Sequence, residues 1–178
     1  MNLLSLDFDG VLHRASDAVL LNFRQNAPAW EMEIALKAQS RFAWSPYLSE
    51  IVQDTDMSII IHSTWRKRFD DATMRSFLPA DVASRVIVLD GMIADRQTLS
   101  ADDYLMEAIN LIAPSSVCVL DDRPEFFYGG KVKHWIAMNH GTFIWCQPEV
   151  GLQDNHARQE LAGWSRPDPR RDFSPAPA

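Results

Sequence analysis

Two carboxylates stand two residues apart, directly after the first apolar run of the chain. The run is residues 2–6, and the sequence continues Asp7-Phe8-Asp9-Gly10. Side chains two residues apart in an extended segment project to the same side, and close like charges in one pocket need a cation or a shared proton. Because only oxygen ligands are nearby, we expect a hard cation, and Mg²⁺ fits best. Gly10 gives the backbone the freedom to turn sharply out of the strand.

Three further apolar runs also end in polar residues. The runs at 57–61, 85–89 and 117–120 are followed, in that order, by His62-Ser63-Thr64, by Asp90 and by Asp121-Asp122. Ligands of open parallel sheets bind outside the carboxyl ends of the strands. One carboxylate after a strand is ordinary, whereas several such ends together with a hydroxyl cluster indicate a site.

The elements that must position these groups alternate between strands and helices. The apolar runs show little alternation, which is typical of parallel strands covered on both faces. Two more strands are predicted at 134–138 and 142–145, joined by a tight turn. Helices are predicted after Ser45-Pro46, at 66–78 and after Ser100. This order predicts an α/β fold, a Rossmann-like and mostly parallel sheet with helices on both faces.

The composition excludes several classes of protein. The chain has 178 residues, 47% of them apolar, with 17 Lys and Arg against 24 Asp and Glu. These values exclude a disordered chain, a coiled coil and a globally basic nucleic-acid-binding protein, but not a local basic patch. No apolar run approaches the roughly 20 residues that span a bilayer, so no membrane partner is expected. The two cysteines, Cys118 and Cys146, are predicted to be buried and reduced, and without a signal-peptide pattern a cytoplasmic location is expected.

The motifs, in their order along the chain, resemble those of the haloacid dehalogenase (HAD) superfamily of phosphohydrolases. Residues 7–12, DFDGVL, are similar to motif I; Ser63 fits motif II, and Asp121-Asp122 fits the acidic motif IV. The strings DFDGVLH, STWR and LDDRP, with the late Gly151-Leu152, resemble the HAD domain associated with "Swiss army knife" RNA-repair proteins. The resemblance covers roughly residues 1–150.

This resemblance implies a fold order and a chemistry. The strand order would be 3-2-1-4-5, with Asp90 in a loop two strands away from the site. Asp7 would be the nucleophile that forms an aspartyl-phosphate, and Asp9 would be the general acid and then the general base. Mg²⁺ would be held by Asp7, by the backbone carbonyl of Asp9 and by at least one of Asp121 and Asp122.

The chain departs from the family at motif III, which usually holds a lysine between the third and fourth strands. Arg96 is the one basic residue between Asp90 and Asp121, and arginine can bind two phosphate oxygens at once. We therefore predict Arg96 as the catalytic cation, with a solvated surface arginine as the alternative. Lys131 and Lys133 come after motif IV, out of the family's order.

The predicted substrate contacts are Gly10, Thr64 and Arg66. Arg66-Lys67-Arg68 would form a basic cluster beside the phosphate site, or else a solvated helix face. The resemblance implies a small cap insert at about 12–44 within a single catalytic domain, 1–164. The proline-rich composition from Ser165 on predicts a flexible tail at 165–178. His13 either lines the mouth of the site or has no role.

Together these features predict a Mg²⁺-dependent phosphomonoester hydrolase, acting on nucleic-acid ends (RNA or DNA) or on nucleotides. The alternatives are a phospho-acceptor domain like a receiver and a degenerate phosphate-binding module. The order of motifs argues against a receiver, whose phosphorylated aspartate follows the third strand. The sequence predicts no stable protein partner.

Overall fold

Four parallel strands form the sheet. The computed structural model describes residues 1–17, 30, 42–127 and 130–166. Its strands are β1 (Asn2–Leu6), β2 (Ser58–Ile61), β3 (Ser116–Asp121) and β4 (Thr142–Trp145). They are ordered β2-β1-β3-β4, and each neighbouring pair is parallel. The predicted α/β class and parallel sheet are therefore confirmed.

The run at 85–89 forms one isolated bridge rather than a strand. Ile59 on β2 bridges Val86 in parallel, with backbone hydrogen bonds of 2.9 Å to the Arg85 carbonyl and 2.8 Å from the Ile87 amide. The segment thus lies beside β2, where the family order has its outermost strand. The prediction of a full strand is wrong, although its position at the sheet edge is right.

Six α-helices are found in the described ranges: α1 (Ser45–Gln53), α2 (Asp71–Ser76), α3 (Ala80–Ala83), α4 (Ala101–Ile112), α5 (Lys131–Met138) and α6 (Asn155–Ser165). Two begin as the sequence predicts, α1 with proline in its first turn and α4 with Ser100 as its cap. The helix predicted at 66–78 is divided between a 3₁₀ turn, Thr64–Lys67, and α2.

The strand predicted at 134–138 is wrong, because these residues belong to α5. Val132 and Ile136 are four residues apart and both are buried, in the core cluster that also includes α4 residues. A short apolar run does not by itself separate a strand from a buried helix face. The turn at 139–141 therefore joins a helix to β4, and β4 runs parallel to β3.

The sheet is covered on both faces, as its apolar strands predict. Leu4, Leu6, Ile59 and Ile61 pack on one face in a cluster with residues of α1 and α6. Leu3, Ile60, Val117 and Val119 belong to the cluster on the other face with residues of α4 and α5. This alternation along each strand fixes which side chains reach the sheet's carboxyl edge from which side.

Other predictions concern the thiols and the ends of the domain. Cys118 and Cys146 are buried and unpaired, which confirms the predicted thiols.

None of the helices in the described ranges is long and apolar enough to cross a membrane. Ser165, assigned to the tail, is the last residue of α6 and is buried. The rest of the predicted tail from 167 on, and most of the predicted cap insert, lie outside the described residues.

Candidate active site

The strand register brings three polar residues level at one edge of the sheet. Leu6 pairs with Ile61 on β2 and with Leu120 on β3. Asp7, His62 and Asp121 come next after these three residues. The Asp7 amide donates to the Leu120 carbonyl at 3.0 Å, and the His62 amide donates to the Leu6 carbonyl at 3.1 Å. The carboxyl ends of β2, β1 and β3 therefore share one site.

Three carboxylates form a buried cluster there. One oxygen each of Asp7, Asp121 and Asp122 can be chosen so that all three lie within 4.8 Å of one another. The residues are 9%, 2% and 8% exposed. Burial raises the pKa of Asp7 well above its usual value, and the charges of Asp121 and Asp9 raise it further, while a hydrogen bond with Ser63 lowers it. The cluster thus concentrates negative charge that water does not screen.

Gly10 lies against the side chain of Asp122, one of the three carboxylates of the cluster. Its φ is +69°, in the left-handed region, and a Cβ there would collide with the Asp122 carboxylate. This close approach allows Asp122 to reach the cluster. Burial and the Asp121 charge raise the pKa of Asp122 to about 6, against the opposing charge of Arg123.

The donor set fits a hard divalent cation. All three groups are carboxylates, the ligands that Mg²⁺ accepts, and they are buried together. Asp122 Oδ1 is buried without a hydrogen-bond partner among the described residues. A cation bound to that oxygen would give it a partner. Its positive charge would also offset the repulsion between carboxylates that raises the pKa of Asp7. The residues that would hold it are therefore Asp7, Asp121 and Asp122.

Asp9 lies beside the cluster, next to the side chains of Trp65 and His13. Its Oδ2 accepts a hydrogen bond of 3.0 Å from Trp65 Nε1. Its Oδ1 lies 3.1 Å from His13 Nε2. The hydrogen bond from Trp65 therefore fixes one oxygen of this carboxylate, while the other oxygen lies next to the His13 ring without a hydrogen bond among the described residues.

The two hydroxyl residues after β2 occupy different positions. Ser63 is buried, and its hydroxyl caps the 3₁₀ turn by accepting from the Trp65 amide at 3.4 Å. Thr64 is exposed and lines a small pocket of about 60 Å³ together with Asp7 and Asp9. Ser63 therefore contacts Asp7 through a hydrogen bond, while Thr64 lies at the wall of the pocket.

Arg96 does not reach the carboxylate cluster. Its guanidinium forms an ion pair of 2.8 Å with Asp71 and a second ion pair with Asp90. It also donates to the Phe69 carbonyl at 3.2 Å. The prediction of Arg96 as the motif III cation is corrected on this geometry, because its polar contacts within the described residues are all in the 69–90 region. Asp90 is a loop residue, as expected, and accepts from the Asp71 amide.

Arg66 is buried, which corrects the expected surface cluster. It is 2% exposed, its guanidinium donates to the Leu99 carbonyl, and it lies 5.0 Å from the centre of the Tyr104 ring. Burial lowers the pKa of Arg66, while the negative charges of Asp7 and Asp71 oppose that shift. Of the three basic residues, Lys67 and Arg68 are exposed. A substrate contact of Arg66 stays a prediction.

Arg123 is a site residue that the sequence reasoning missed. It lines the Asp7 pocket together with Phe126, and its guanidinium lies 5.5 Å from the Phe126 ring centre. Its amide donates to Asp121 Oδ1 at 2.6 Å. The position directly after the acidic pair was the available signal. Lys131, the late alternative for motif III, instead pairs with Asp103 at 2.9 Å.

His62 is a second residue whose place the sequence did not reveal. Its Nε2 lies 2.7 Å from Asp121 Oδ2, and its Nδ1 lies 2.7 Å from Ser5 Oγ, with all three residues buried. The ring therefore supports the carboxylate cluster from inside the sheet.

A comparison with family models agrees with this geometry. Residues 3–157 match the family described as "HAD domain in Swiss Army Knife RNA repair proteins". The comparisons with curated proteins and with solved structures found no match. The family match spans the sheet from Leu3 of β1 onward, the buried carboxylate cluster and the polar residues around it. This chain therefore belongs to the family of HAD domains found in Swiss Army Knife RNA repair proteins.

Proposed function

We propose that the protein is a Mg²⁺-dependent phosphomonoester hydrolase with Asp7 as its nucleophile. The observation that supports this most strongly is the buried set of Asp7, Asp121 and Asp122 at the carboxyl ends of β1 and β3. Asp9 stands beside it, with one oxygen held by the Trp65 indole. A bound Mg²⁺ would neutralise the charge of the carboxylates and of the phosphoryl group, so that the two can approach each other.

In the first step, an Asp7 oxygen attacks phosphorus. A new oxygen–phosphorus bond forms on Asp7, the bond to the leaving oxygen breaks, and that oxygen takes a proton from the Asp9 carboxyl. The product alcohol leaves, and Asp7 carries the phosphoryl group. Ser63 adjoins Asp7 and has a hydroxyl that can position the reacting carboxylate.

In the second step, water replaces Asp7. Asp9, now ionised, takes a proton from the water as the water oxygen attacks phosphorus, and the bond to Asp7 breaks. Inorganic phosphate leaves, and both carboxyl groups return to their first state. The proton that Asp9 gave to the alcohol is thus recovered from the water.

We propose a nucleotide or a nucleic-acid end as the substrate. Arg123 and Phe126 support this, because a cation and a 42% exposed aromatic ring stand at the opening of the Asp7 pocket. An exposed ring can stack on a base, and a guanidinium can bind the adjacent phosphate. We place the reaction in the cytoplasm, since a reducing compartment keeps the unpaired thiols of Cys118 and Cys146 reduced.

The test is a phosphatase panel on the purified chain. The substrates are p-nitrophenyl phosphate, mononucleotides and oligonucleotides with 3′ or 5′ phosphates, each with Mg²⁺ and with EDTA. We expect Mg²⁺-dependent release of phosphate, lost in Asp7→Asn. Phosphate binding without turnover on every substrate would instead support the degenerate binding module. Turnover that survives exhaustive EDTA treatment would contradict the metal assignment.

A further inference from the structure

The last residue of β4 stands beside the carboxylate cluster. Trp145 pairs with Asp121 in the parallel register of β3 and β4, and the Cys146 amide donates to the Asp121 carbonyl at 2.9 Å. Neighbouring strands are about 4.8 Å apart, so the backbone of Trp145 lies one strand spacing from a member of the cluster. Val119 and Phe143, two residues earlier in this register, pack on the face covered by α4 and α5. The side chains of Asp121 and Trp145 therefore project to that same face.

The Trp145 ring is supported by other aromatic rings but is not covered by them. It stacks on Phe143, with ring centres 4.8 Å apart and planes 13° from parallel. The buried ring of Phe127 lies 6.2 Å from it. Trp145 nevertheless remains 39% exposed. An indole that rests on one ring and stays open to solvent offers a fixed apolar surface for another flat ring.

A second exposed ring stands at the same edge of the sheet. Of the phenylalanine, tyrosine and tryptophan residues in the described ranges, three are exposed, namely Trp30, Phe126 and Trp145. Phe126 lines the Asp7 pocket and directly precedes Phe127, whose ring contacts Trp145. Neither Phe126 nor Trp145 belongs to a core cluster of the described residues, so packing of the core does not account for them.

A cation accompanies the two rings. Arg123 lines the same pocket, its side chain is 54% exposed, and its guanidinium lies 5.5 Å from the Phe126 ring centre. A guanidinium can bind two phosphate oxygens at once. Proteins that bind single-stranded nucleic acid combine positive charge for the backbone with aromatic rings on which successive bases stack. The exposed groups beside the cluster therefore match the chemistry of a single strand.

We propose that Phe126 and Trp145 bind two successive bases of a single-stranded nucleic-acid end, with the second base on Trp145. The inference rests on the proposed phosphohydrolase function and narrows its substrate to a strand of at least two nucleotides. The terminal phosphate enters the Asp7 pocket, and the first base stacks on Phe126 at the opening. The second base reaches Trp145, one strand beyond Asp121. Because every base has a π-face, this contact does not select a sequence.

The experiment removes either the ring or the base that it contacts. The probes are short DNA oligonucleotides with a 5′ or 3′ phosphate, either intact or abasic at the second position from the phosphate. Trp145→Leu keeps an apolar side chain without a ring, and Trp145→Phe keeps a ring. Trp135→Leu, at a tryptophan of α5 outside the Asp7 pocket, is the matched control. Binding is measured by fluorescence anisotropy in the Asp7→Asn background, which lacks the nucleophile.

We expect Trp145→Leu to weaken binding of the intact oligonucleotide about 5- to 100-fold, the range of one stack between a base and an aromatic ring. Trp145→Phe should recover much of this loss, and the control should bind like the parent protein. Without the second base, Trp145→Leu and the parent should bind within about twofold of each other. Equal losses with and without that base, or no loss on the intact oligonucleotide, would overturn the proposal.

A second measurement covers the case in which Trp145→Leu does not fold, which thermal unfolding reveals. A base stacked on an indole quenches its fluorescence, so the intact oligonucleotide should quench tryptophan emission more in the parent protein than in Trp145→Phe. Equal quenching in the two proteins would overturn the proposal.

Two further results separate this proposal from other accounts. If the wild-type chain releases phosphate from no substrate while Trp145 and the second base still depend on each other in binding, the proposed function fails and the base-binding site stands. If a second copy of the chain covers Trp145 instead, sedimentation should show a wild-type dimer that Trp145→Leu dissociates, with oligonucleotide binding unchanged. That result would overturn the proposal.

Discussion

His62 Nε2 and Asp121 Oδ2 lie 2.7 Å apart inside the sheet, and Ser5 Oγ lies 2.7 Å from the opposite ring nitrogen. A carboxylate accepts, so His62 Nε2 donates to Asp121, and the Ser5 hydroxyl shares a hydrogen bond with Nδ1. The other Asp121 oxygen accepts from the Arg123 amide. The orientation of Asp121 is therefore set before any cation binds.

Removal of the His62 contact should weaken Mg²⁺ binding. Partners that orient a metal ligand typically contribute about 10–100-fold in affinity, so we expect a loss of that order in His62→Asn, measured by isothermal titration of the folded protein with Mg²⁺. His134→Asn, at an exposed residue of α5, is the matched control. An unchanged Mg²⁺ affinity in His62→Asn would show that Asp121 needs no such support.

The stability of the metal-free protein should fall as pH rises. The folded state holds the pKa of Asp122 at about 6, while an unfolded aspartate has a pKa near 3.9. Between these values the folded state binds the extra proton, so the free energy of unfolding decreases with pH and the loss is complete about one unit above the folded pKa. It amounts to about 2 kcal/mol once solvent screening is allowed for.

Asp122→Asn should remove this part of the pH dependence. We expect its Tm in EDTA to change less than that of the wild type between pH 4 and pH 7 (roughly the interval bracketing the two pKa values). Asp54→Asn, at an exposed residue after α1, should follow the wild type. Parallel Tm profiles for Asp122→Asn and the wild type would contradict a raised Asp122 pKa.

Arg96 should matter for folding and not for the reaction. It neutralises the buried Asp71 carboxylate, whose other oxygen accepts from the Leu89 amide at 2.8 Å. Breaking a buried ion pair from one side costs about 3–5 kcal/mol, so Arg96→Met should lower the free energy of unfolding by roughly that amount.

The same variant should keep kcat within about threefold of the wild type where both are folded, in contrast to the loss of several orders expected when a catalytic group is removed. Denaturant unfolding and phosphatase assays at low temperature measure the two quantities. A loss of more than about a hundredfold in kcat with stability intact would restore Arg96 as the catalytic cation.

Salt should weaken a preference for oligonucleotide ends. The exposed Lys67 and Arg68 follow the Ser63 turn, and contacts of such residues with phosphates release counterions. We expect kcat/KM to be higher on a phosphorylated oligonucleotide than on a mononucleotide, with the ratio shrinking from about 50 to 200 mM salt.

Replacement of both Lys67 and Arg68 with alanine should reduce that ratio and leave p-nitrophenyl phosphate turnover nearly unchanged. Lys131→Ala, which removes a lysine paired with Asp103, is the control. Equal efficiency on the two substrates across the salt range would exclude nucleic-acid ends while leaving the phosphatase proposal standing.

The carboxylate cluster could be predicted because its members directly follow apolar runs. A parallel sheet brings such residues to one edge, so Asp7 and Asp121 were placed by local pattern together with the strand order that the family resemblance implies. The position of Arg96 was predicted wrongly because its contacts follow no local pattern in the sequence. Its partners, Asp71 and Asp90, come from a helix start and a loop, and no periodicity in the sequence shows that they meet.

The histidines that contact the site's carboxylates also could not be predicted from the local sequence pattern. His13 lies next to Asp9 and His62 next to Asp121, and these distances depend on the packed structure. The strand predicted at 134–138 failed because a short apolar run is ambiguous without its neighbours. Reactive side chains that directly follow strands can thus be predicted from the sequence, whereas the side chains that orient them cannot.

The central claim is that Asp7 carries the phosphoryl group, and trapping that intermediate tests it most directly. Asp9→Asn lacks the base for the second step, and 2,4-dinitrophenyl phosphate needs no acid for the first, so the intermediate should accumulate. After acid quenching and proteolysis, we predict phosphate on the peptide at Asp7, and at least about a 10³-fold loss of turnover in Asp7→Asn. Phosphate on another residue, or Asp7→Asn turnover within about tenfold of the wild type, would contradict the account.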